Sequence, residues 1–426
     1  FYYLFAFGLE GLKDPREYRY MRILRFTLRL MGAWPGRQLG EPYSKYQTAP
    51  GYFLLFVKIA SVYLIIGTEA SEKIIQKQIN IFFVLQSRLS TLSLNRKYHQ
   101  IIKRFVQEMH LHYFKDESEF ATETHIKVHK ISYFFAIYLN ILLLWGIIMF
   151  NILPIYNNYQ NGKFDIKNKN NITFELSIYY ELPFDTATNI NGYIVIAVFN
   201  WYATYICASC FCMFDLVLFV LVFHIRGHFK ILIHKLNSFP LPSTYNDTQN
   251  TELYSSVEMM GVEKRLKECI DYHRMLLGFT NEISEAFGPM LFVYYMFHQV
   301  SGCLLLLEIS QMNAIAFIRY GPLTLALFQQ LIQLSFVIES IGTVVNAVYS
   351  VPWEFMDTKN RKTLLIFLRN VDEPVHVNAL GLATVGVTSM ASVINLMRIF
   401  KTTHFNVDIL MKNIYTNHIR GSVISP

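Results

Sequence analysis

Lys and Arg crowd into alternate loops between long apolar runs, and that alternation constrains the fold of this chain more than any motif does. About 20 apolar residues cross the hydrocarbon core of a bilayer as a helix, and apolar runs fall at 50–69, 74–94, 131–153, 192–224, 286–308, 313–349 and 375–397. The segments 1–49, 95–130, 225–285 and 350–374 then lie on one side and carry 26 basic residues. The other side carries 8: Lys73, Lys163, Lys167, Lys169, Arg398, Lys401, Lys412 and Arg420. Cytoplasmic loops are the Lys/Arg-rich ones. The sequence therefore predicts an all-α membrane protein of seven transmembrane helices, with a cytoplasmic N-terminus and an extracellular C-terminus. A G-protein-coupled receptor has its N-terminus outside, so the chain reads upside down for that class. The second span is the weakest, with a clean apolar core only over Ile79–Leu85 and with Lys77 and Arg88 inside it; dropping it would put the basic segment 95–130 outside.

Composition excludes several classes. With 53% hydrophobic and 16% charged residues, a soluble domain would aggregate. The net charge of +7 is spread over membrane-flanking loops with no nucleic-acid module, so no nucleic-acid partner is predicted. Cys207, Cys210, Cys212 and Cys303 fall inside spans and Cys269 in a predicted cytoplasmic helix, a pattern of reduced packing residues rather than a disulfide framework. Walker, HExxH, GxSxG and dinucleotide motifs are missing, so neither an enzyme nor a cofactor is expected. His125/His129 and His224/His228 have the four-residue spacing of helical metal ligands, but no Cys or carboxylate joins them at ligand spacing, and no metal is predicted. Phe1–Leu9 lacks the basic leader of a signal peptide, and the absence of an initiator Met predicts a fragmentary start.

Four regions follow from this pattern: a cytoplasmic segment 1–49, spans one to six within 50–349, a cytoplasmic anchor helix and last span at 350–400, and a polar tail at 401–426. Within the first, Arg19, Arg22, Arg25 and Arg29 recur at helical spacing, and the stretch from Lys13 to Arg29 reads as an amphipathic helix on membrane lipids or as a solvated helix face. No breaker follows the fourth span, so its helix should run through Ile225–Phe239 until Pro240 and Pro242. Met259, Val262, Leu266, Ile270, His273 and Leu277 repeat at three and four residues and lead into the fifth span. With the apolar piece Leu364–Leu368, these extensions predict a cytoplasmic anchor bundle built from helices four to seven. Their apolar faces need burial, whether inside the chain or against another subunit.

Lys58, Arg88, Asp215, Arg319 and Glu339 lie inside spans, where charge is costly and should face the bundle interior or water. Aromatics gather in the outer halves of several spans: Phe82 and Phe83, Trp145 and Phe150, Tyr193, Phe199, Trp201 and Tyr202, Tyr294 and Tyr295, with Met149 beside them. Walls of that kind, poor in polar groups, suit a small apolar ligand. A lipid-facing belt or core packing is the alternative for each.

One block carries a resemblance. It runs Tyr349-Ser350-Val351-Pro352-Trp353-Glu354, Asn360-Arg361-Lys362-Thr363-Leu364-Leu365-Ile366-Phe367-Leu368, Pro374-Val375, Gly381-Leu382 and Thr388-Ser389-Met390. It resembles the C-terminal signature of insect odorant receptors, and Glu181-Leu182-Pro183-Phe184-Asp185 and Asp215 match as well. Gly32-Ala33-Trp34-Pro35-Gly36 and Pro374-Val375-His376-Val377 look like moth members, including those related to sex-pheromone receptors. The resemblance implies a ligand-gated, non-selective cation channel of four subunits around a pore lined by the last helix. It implies assembly with the odorant-receptor co-receptor through cytoplasmic helices, here through Tyr349, Trp353, Leu364, Leu365, Phe367 and Leu368. It also implies an odorant or pheromone site in the outer half, where Phe82, Phe83, Trp145, Met149, Phe199, Tyr202, Tyr294 and Tyr295 fall, and a place in the olfactory neuron's plasma membrane. A gustatory receptor of the same superfamily is the nearest alternative, followed by a seven-span G-protein-coupled receptor or transporter. On the resulting topology the sequon at Asn171 faces outside and is open to glycosylation, whereas that at Asn246 faces the cytosol. After Ser392 the chain departs from the family: Asn395, Arg398, Lys401 and His404 would put positive charge at the outer pore mouth. Either this lowers conductance or residues 393–426 come from an aberrant transcript.

Overall fold

The computed structural model describes residues 11–30, 32–42, 95–164, 173–177, 185, 188–243, 253–310 and 344–371, with 378–379, 383–384, 391–392 and 395. They divide into two compact units: the first is Phe1–Phe287 with Ile341–Val375, the second Gly288–Ser340 with His376–Pro426, so one boundary falls within a long helix. The helices, numbered in chain order and not by predicted span, are α1 (Arg19–Leu30), α2 (Arg96–Arg104), α3 (Glu119–Gln160), α4 (Ile190–Asn237), α5 (Ser256–Ser310), α6 (Val345–Tyr349) and α7 (Thr358–Val371).

The frame of the first unit is the α3/α4 pair. Ser118 caps α3 by accepting from the Ala121 N–H (3.1 Å), and Asn189 caps α4 by accepting from the Asn191 N–H (2.9 Å). The helices run antiparallel: Phe120 stacks on His234 at one end, Phe135 meets Phe219 and Phe223 in the middle, and Asn158 reaches Tyr193 at the other end. At 42 and 48 residues they extend for about 63 and 72 Å, twice a bilayer core. Each therefore projects beyond the membrane.

Their surfaces differ. On α3 one stripe is buried, through Val128, Ser132, Ala136, Leu139, Leu143, Ile147 and Asn151, at helical spacing. The other faces leave Ile131, Phe134, Ile141, Leu144 and Ile148 exposed. A helix apolar all round yet packed along one stripe is what lipid contact requires. On α4, by contrast, residues from Cys212 through Ile225 are all buried, Asp215 among them. Both Glu119–Gln160 and Cys212–Asn237 are long and apolar enough to cross a membrane.

The expected extension of the fourth span is present: α4 continues to Asn237, and Phe239 precedes Pro240. The predicted apolar face leading into the fifth span is also helical, but its register differs by one residue. Val262, Leu266 and His273 are buried, whereas Cys269 and Leu276, not Ile270 and Leu277, complete the stripe. Cys269 is small enough to sit at the packed seam, which is why an apolarity count passes over it. Against the ends of α4 and α5 lie α6 and α7. Ser350 Oγ donates to Asn237 Oδ1 (2.8 Å), the Tyr254 N–H to the Phe355 carbonyl (3.0 Å), and Lys359 Nζ to Glu263 (2.7 Å).

The apolar face of α1 is turned to protein. Tyr20, Met21, Leu24 and Leu28 are buried, and the helix packs on α3 and α4. Arg25 and Arg29 fold back to a buried Glu41, which also accepts from Trp34 Nε1 (3.0 Å). That face is not available to lipid, a correction to the expected surface helix; Arg19 and Arg22 stay exposed.

In the second unit, the stretch 375–397, expected as one helix, contains an antiparallel pair of two-residue strands. These are β1 (Asn378–Ala379) and β2 (Ala383–Thr384), with Asn378 opposite Thr384 and Ala379 opposite Ala383. The sequence explains the departure: Val375, Val377, Gly381, Thr384, Val385, Gly386, Val387 and Thr388 are poor helix formers, and a glycine in a three-residue connection favours a hairpin. Residues 391, 392 and 395 are helical.

Candidate ligand site and buried histidine network

At the end of the α3/α4 pair away from α1, residues 173–177 strap across both helices. Asn158, fully buried, holds the strap reciprocally: its Nδ2 donates to the Glu175 carbonyl (2.8 Å), and its Oδ1 accepts from the Glu175 N–H (2.8 Å). Asn157 adds a bond to the Glu175 carboxylate (3.1 Å), and Lys163 donates to the Thr173 carbonyl (2.6 Å). Under the strap, Phe174 stacks on Tyr193 at 4.7 Å, and Leu176 and Ile196 close an aromatic–aliphatic cluster that Phe164 and Phe199 flank.

Beside this cluster lies a cleft bounded by Asn151, Pro154, Glu175, Tyr193, Asn200 and Trp201. Its free space is about 10 Å³, room for no more than one water molecule. An odorant-sized molecule enters only if the strap or its aromatic neighbours move. Asn151 is its polar anchor: Nδ2 is spent on the Ile147 carbonyl (2.9 Å), and Oδ1 is buried with no hydrogen-bond partner. A ligand hydroxyl would satisfy it.

Of the residues expected to bind ligand, Phe199 joins this cluster, and Tyr202, 39% exposed, lies three residues farther along α4. Trp145 (62% exposed) and Met149 (50%) share an exposed face of α3. Tyr294 is buried, in the second unit. Phe82, Phe83, Asn171 and the side chain of Tyr295 lie outside the described residues, as do Lys58, Arg88, Asn246, Arg319, Glu339, Arg398 and Lys401. The assembly candidates separate into two groups. Leu364 and Phe367 are buried within the chain, Phe367 against the His273 ring at 5.4 Å, and Leu368 is half-buried; Tyr349, Trp353 and Leu365 are exposed, with Ile366 beside them.

Asn158, Phe174 and Glu175 carried no signal in the sequence beyond an amide at the end of a span. A polar network at the opposite end of the helix pair showed in the sequence only as the His125/His129 and His224/His228 pairs. There α1 and the 105–113 connection bring Tyr18, Tyr20, His110 and His112 against His125, His129, His224 and His228. The bonds fix the tautomers. His110 Nδ1 accepts from the His112 N–H (3.0 Å), and His224 Nδ1 accepts from the Leu111 N–H (3.2 Å). Both neutral rings therefore carry their proton on Nε2 and donate it to Tyr20 Oη, at 2.6 and 3.0 Å. His228 Nε2 donates to the Met109 carbonyl (2.8 Å), leaving Nδ1 to accept from the Tyr272 hydroxyl (2.6 Å). Burial, reinforced by the neighbouring His224, holds His110 well below the usual histidine range, and burial pushes the Tyr20 hydroxyl well above its own. The network is neutral and structural, tying α1 to α4 through Tyr20. Among the described residues no three His, Cys, Asp or Glu side chains come together as metal ligands.

Long paired helices that expose apolar faces outside a packed stripe define an all-α membrane protein. Among such proteins, the chain belongs to the 7tm Odorant receptor family, whose model matches residues 79–398. It shares its fold with the insect olfactory receptor OR5 from Machilis hrabei, at a TM-score of 0.72 and 15% identity, over 91% of this chain and 98% of that one. The same receptor in complex with eugenol aligns at a TM-score of 0.68 and 15% identity, over 91% of this chain and 97% of that one. At that identity the likeness concerns the fold. No curated protein sequence matches the chain. The family is one of sensory receptors, not of enzymes.

Proposed function

We propose that this chain is an odorant-specific subunit of a ligand-gated, non-selective cation channel, assembled with the odorant-receptor co-receptor in the plasma membrane of an olfactory neuron. The observation that carries this is the family match across three quarters of the chain. The excess of 26 basic residues over 8 supports a cytoplasmic N-terminus and seven spans, so the strap and its aromatic cluster face the outer side and the histidine network the cytosol. Phe82, Phe83, Trp145, Met149, Phe199, Tyr202, Tyr294 and Tyr295 then line or approach the ligand site. A volatile held there gains mainly from apolar burial, at roughly 25 cal/mol per Å², and Asn151 favours one that carries a hydroxyl. The moth-like segments favour a long-chain unsaturated alcohol, aldehyde or acetate of the sex-pheromone type. On the cytoplasmic side, Tyr349, Trp353 and Leu365 form the exposed part of the contact with neighbouring subunits, while Leu364, Phe367 and Leu368 support it from beneath.

The test is a ligand panel on cells expressing this chain with and without the co-receptor. A small hydrophobic volatile should evoke current only in the pair, and Trp145→Ala should shift its potency tenfold or more at unchanged surface density. Robust current from this chain alone, or silence of the surface-expressed pair across long-chain and general odorants, would count against the reading.

A further inference from the structure

A second cleft, of about 430 Å³, opens between α3 and α4 on the side of the histidine network. Lys127, Arg226 and Lys230 stand on its walls, and no carboxylate lines it. Ile131 and Phe223, at the near ends of the apolar runs 131–153 and 192–224, give it an apolar floor. Gly227 keeps the helices close: a Cβ there would come within 2.5 Å of Leu111 Cδ1 and 3.1 Å of Val128 Cγ2.

Arg226 and Lys230 have no acidic partner among the described residues. Lys127 bonds only to Glu123, one turn back on the same helix (2.7 Å), and both side chains of that pair are more than half exposed, where an ion pair contributes little. Three cations over an apolar floor, at the point where two helices leave the bilayer, match a ligand that is anionic at one end and hydrocarbon at the other. From Ile131 the exposed face of α3 continues through Phe134 and Ile141, giving an acyl chain an uninterrupted apolar track.

We propose that this cleft binds an anionic phospholipid of the inner leaflet, its phosphate held by Lys127, Arg226 and Lys230 and its first acyl carbons resting on Ile131 and Phe223. A free phosphate would leave the apolar floor uncovered. Only the assignment to the inner leaflet rests on the proposed orientation; binding itself does not.

Native mass spectrometry of the purified full chain in detergent tests this, with phosphatidylserine and phosphatidylcholine of identical acyl chains as probes. The wild type should retain phosphatidylserine at least tenfold better. The combined variant Lys127→Gln, Arg226→Gln, Lys230→Gln should retain both lipids equally, and Lys230→Glu alone should weaken the preference in the same direction. Removing three exposed cations elsewhere, by Lys103→Gln, Lys264→Gln and Arg274→Gln, should leave it intact. The proposal fails if the cleft variants keep the preference, if the control variant loses it equally, or if equimolar inorganic phosphate displaces the lipid. Because the measurement is made in detergent, an inverted topology would not alter it, and its failure would leave the channel reading standing.

Discussion

Asn158 carries more of the architecture at its end of the α3/α4 pair than any single residue beside it. Its amide satisfies both backbone groups of Glu175 and touches the Tyr193 hydroxyl (3.2 Å), so one side chain fixes strap, α3 and α4 together. A buried hydrogen bond contributes about 1 kcal/mol net, and a buried partner left unpaired costs about 1–3 kcal/mol. Asn158→Leu is therefore expected to destabilise the strap by about 2–4 kcal/mol, read as a faster hydrogen exchange of the Thr173 to Ser177 amides with α6 and α7 unaffected. Exchange unchanged in that segment would show that the strap is held by Phe174 and Tyr193 packing instead. Asn151 stands about two turns from Asn158 on the same stripe and differs in kind: its carbonyl oxygen has no partner, which is a cost to the empty protein and a benefit to a bound hydroxyl.

Between elements, the α3/α4 contact depends on an absence of side chain. Gly227 sits where Leu111 and Val128 press on α4, and a branched side chain there has to displace buried neighbours. Gly227→Val is expected to cost about 1–3 kcal/mol, seen as a lowered melting temperature and reduced surface expression; unchanged values would mean that the 105–113 connection yields freely. The helices themselves were legible in the sequence. The apolar length of α3, the run of α4 to the prolines and the amphipathic start of α5 all follow from local pattern. The one-residue shift on α5 and the β pair after Val375 were not, because a small buried cysteine and a valine- and threonine-rich apolar run score as other things than they are. Least legible was the histidine network. Tyr20 meets His110 and His224 across 90 and 204 residues, and spacing along one helix, which showed only His125/His129 and His224/His228, says nothing about such partners.

For the whole molecule, buried neutral histidines set a lower limit of pH. His110 is held well below the ordinary histidine value of 6.5, and His273 is pushed down to about 4, each chiefly by burial. The unfolded chain takes up those protons near pH 6.5 and the folded chain does not, so stability is fully present above 6.5 and falls as pH drops toward 4. The purified protein should melt progressively lower over that window, and His273→Phe, which replaces a ring packed between Phe229 and Phe367, should make the fall shallower. Identical pH profiles for the two proteins would remove His273 from the account. Orientation has its own measurement: mass spectrometry of the expressed protein should find a glycan on Asn171 and none on Asn246, and a glycan on Asn246 would invert the topology. The central claim is that the chain is part of a channel rather than of a signalling cascade. It is tested most directly in outside-out patches excised from cells expressing it with the co-receptor, bathed on the cytoplasmic face in solution free of nucleotides. Odorant-evoked cation current that persists at undiminished speed there is the predicted result; current that vanishes without GTP and returns when it is supplied would contradict it.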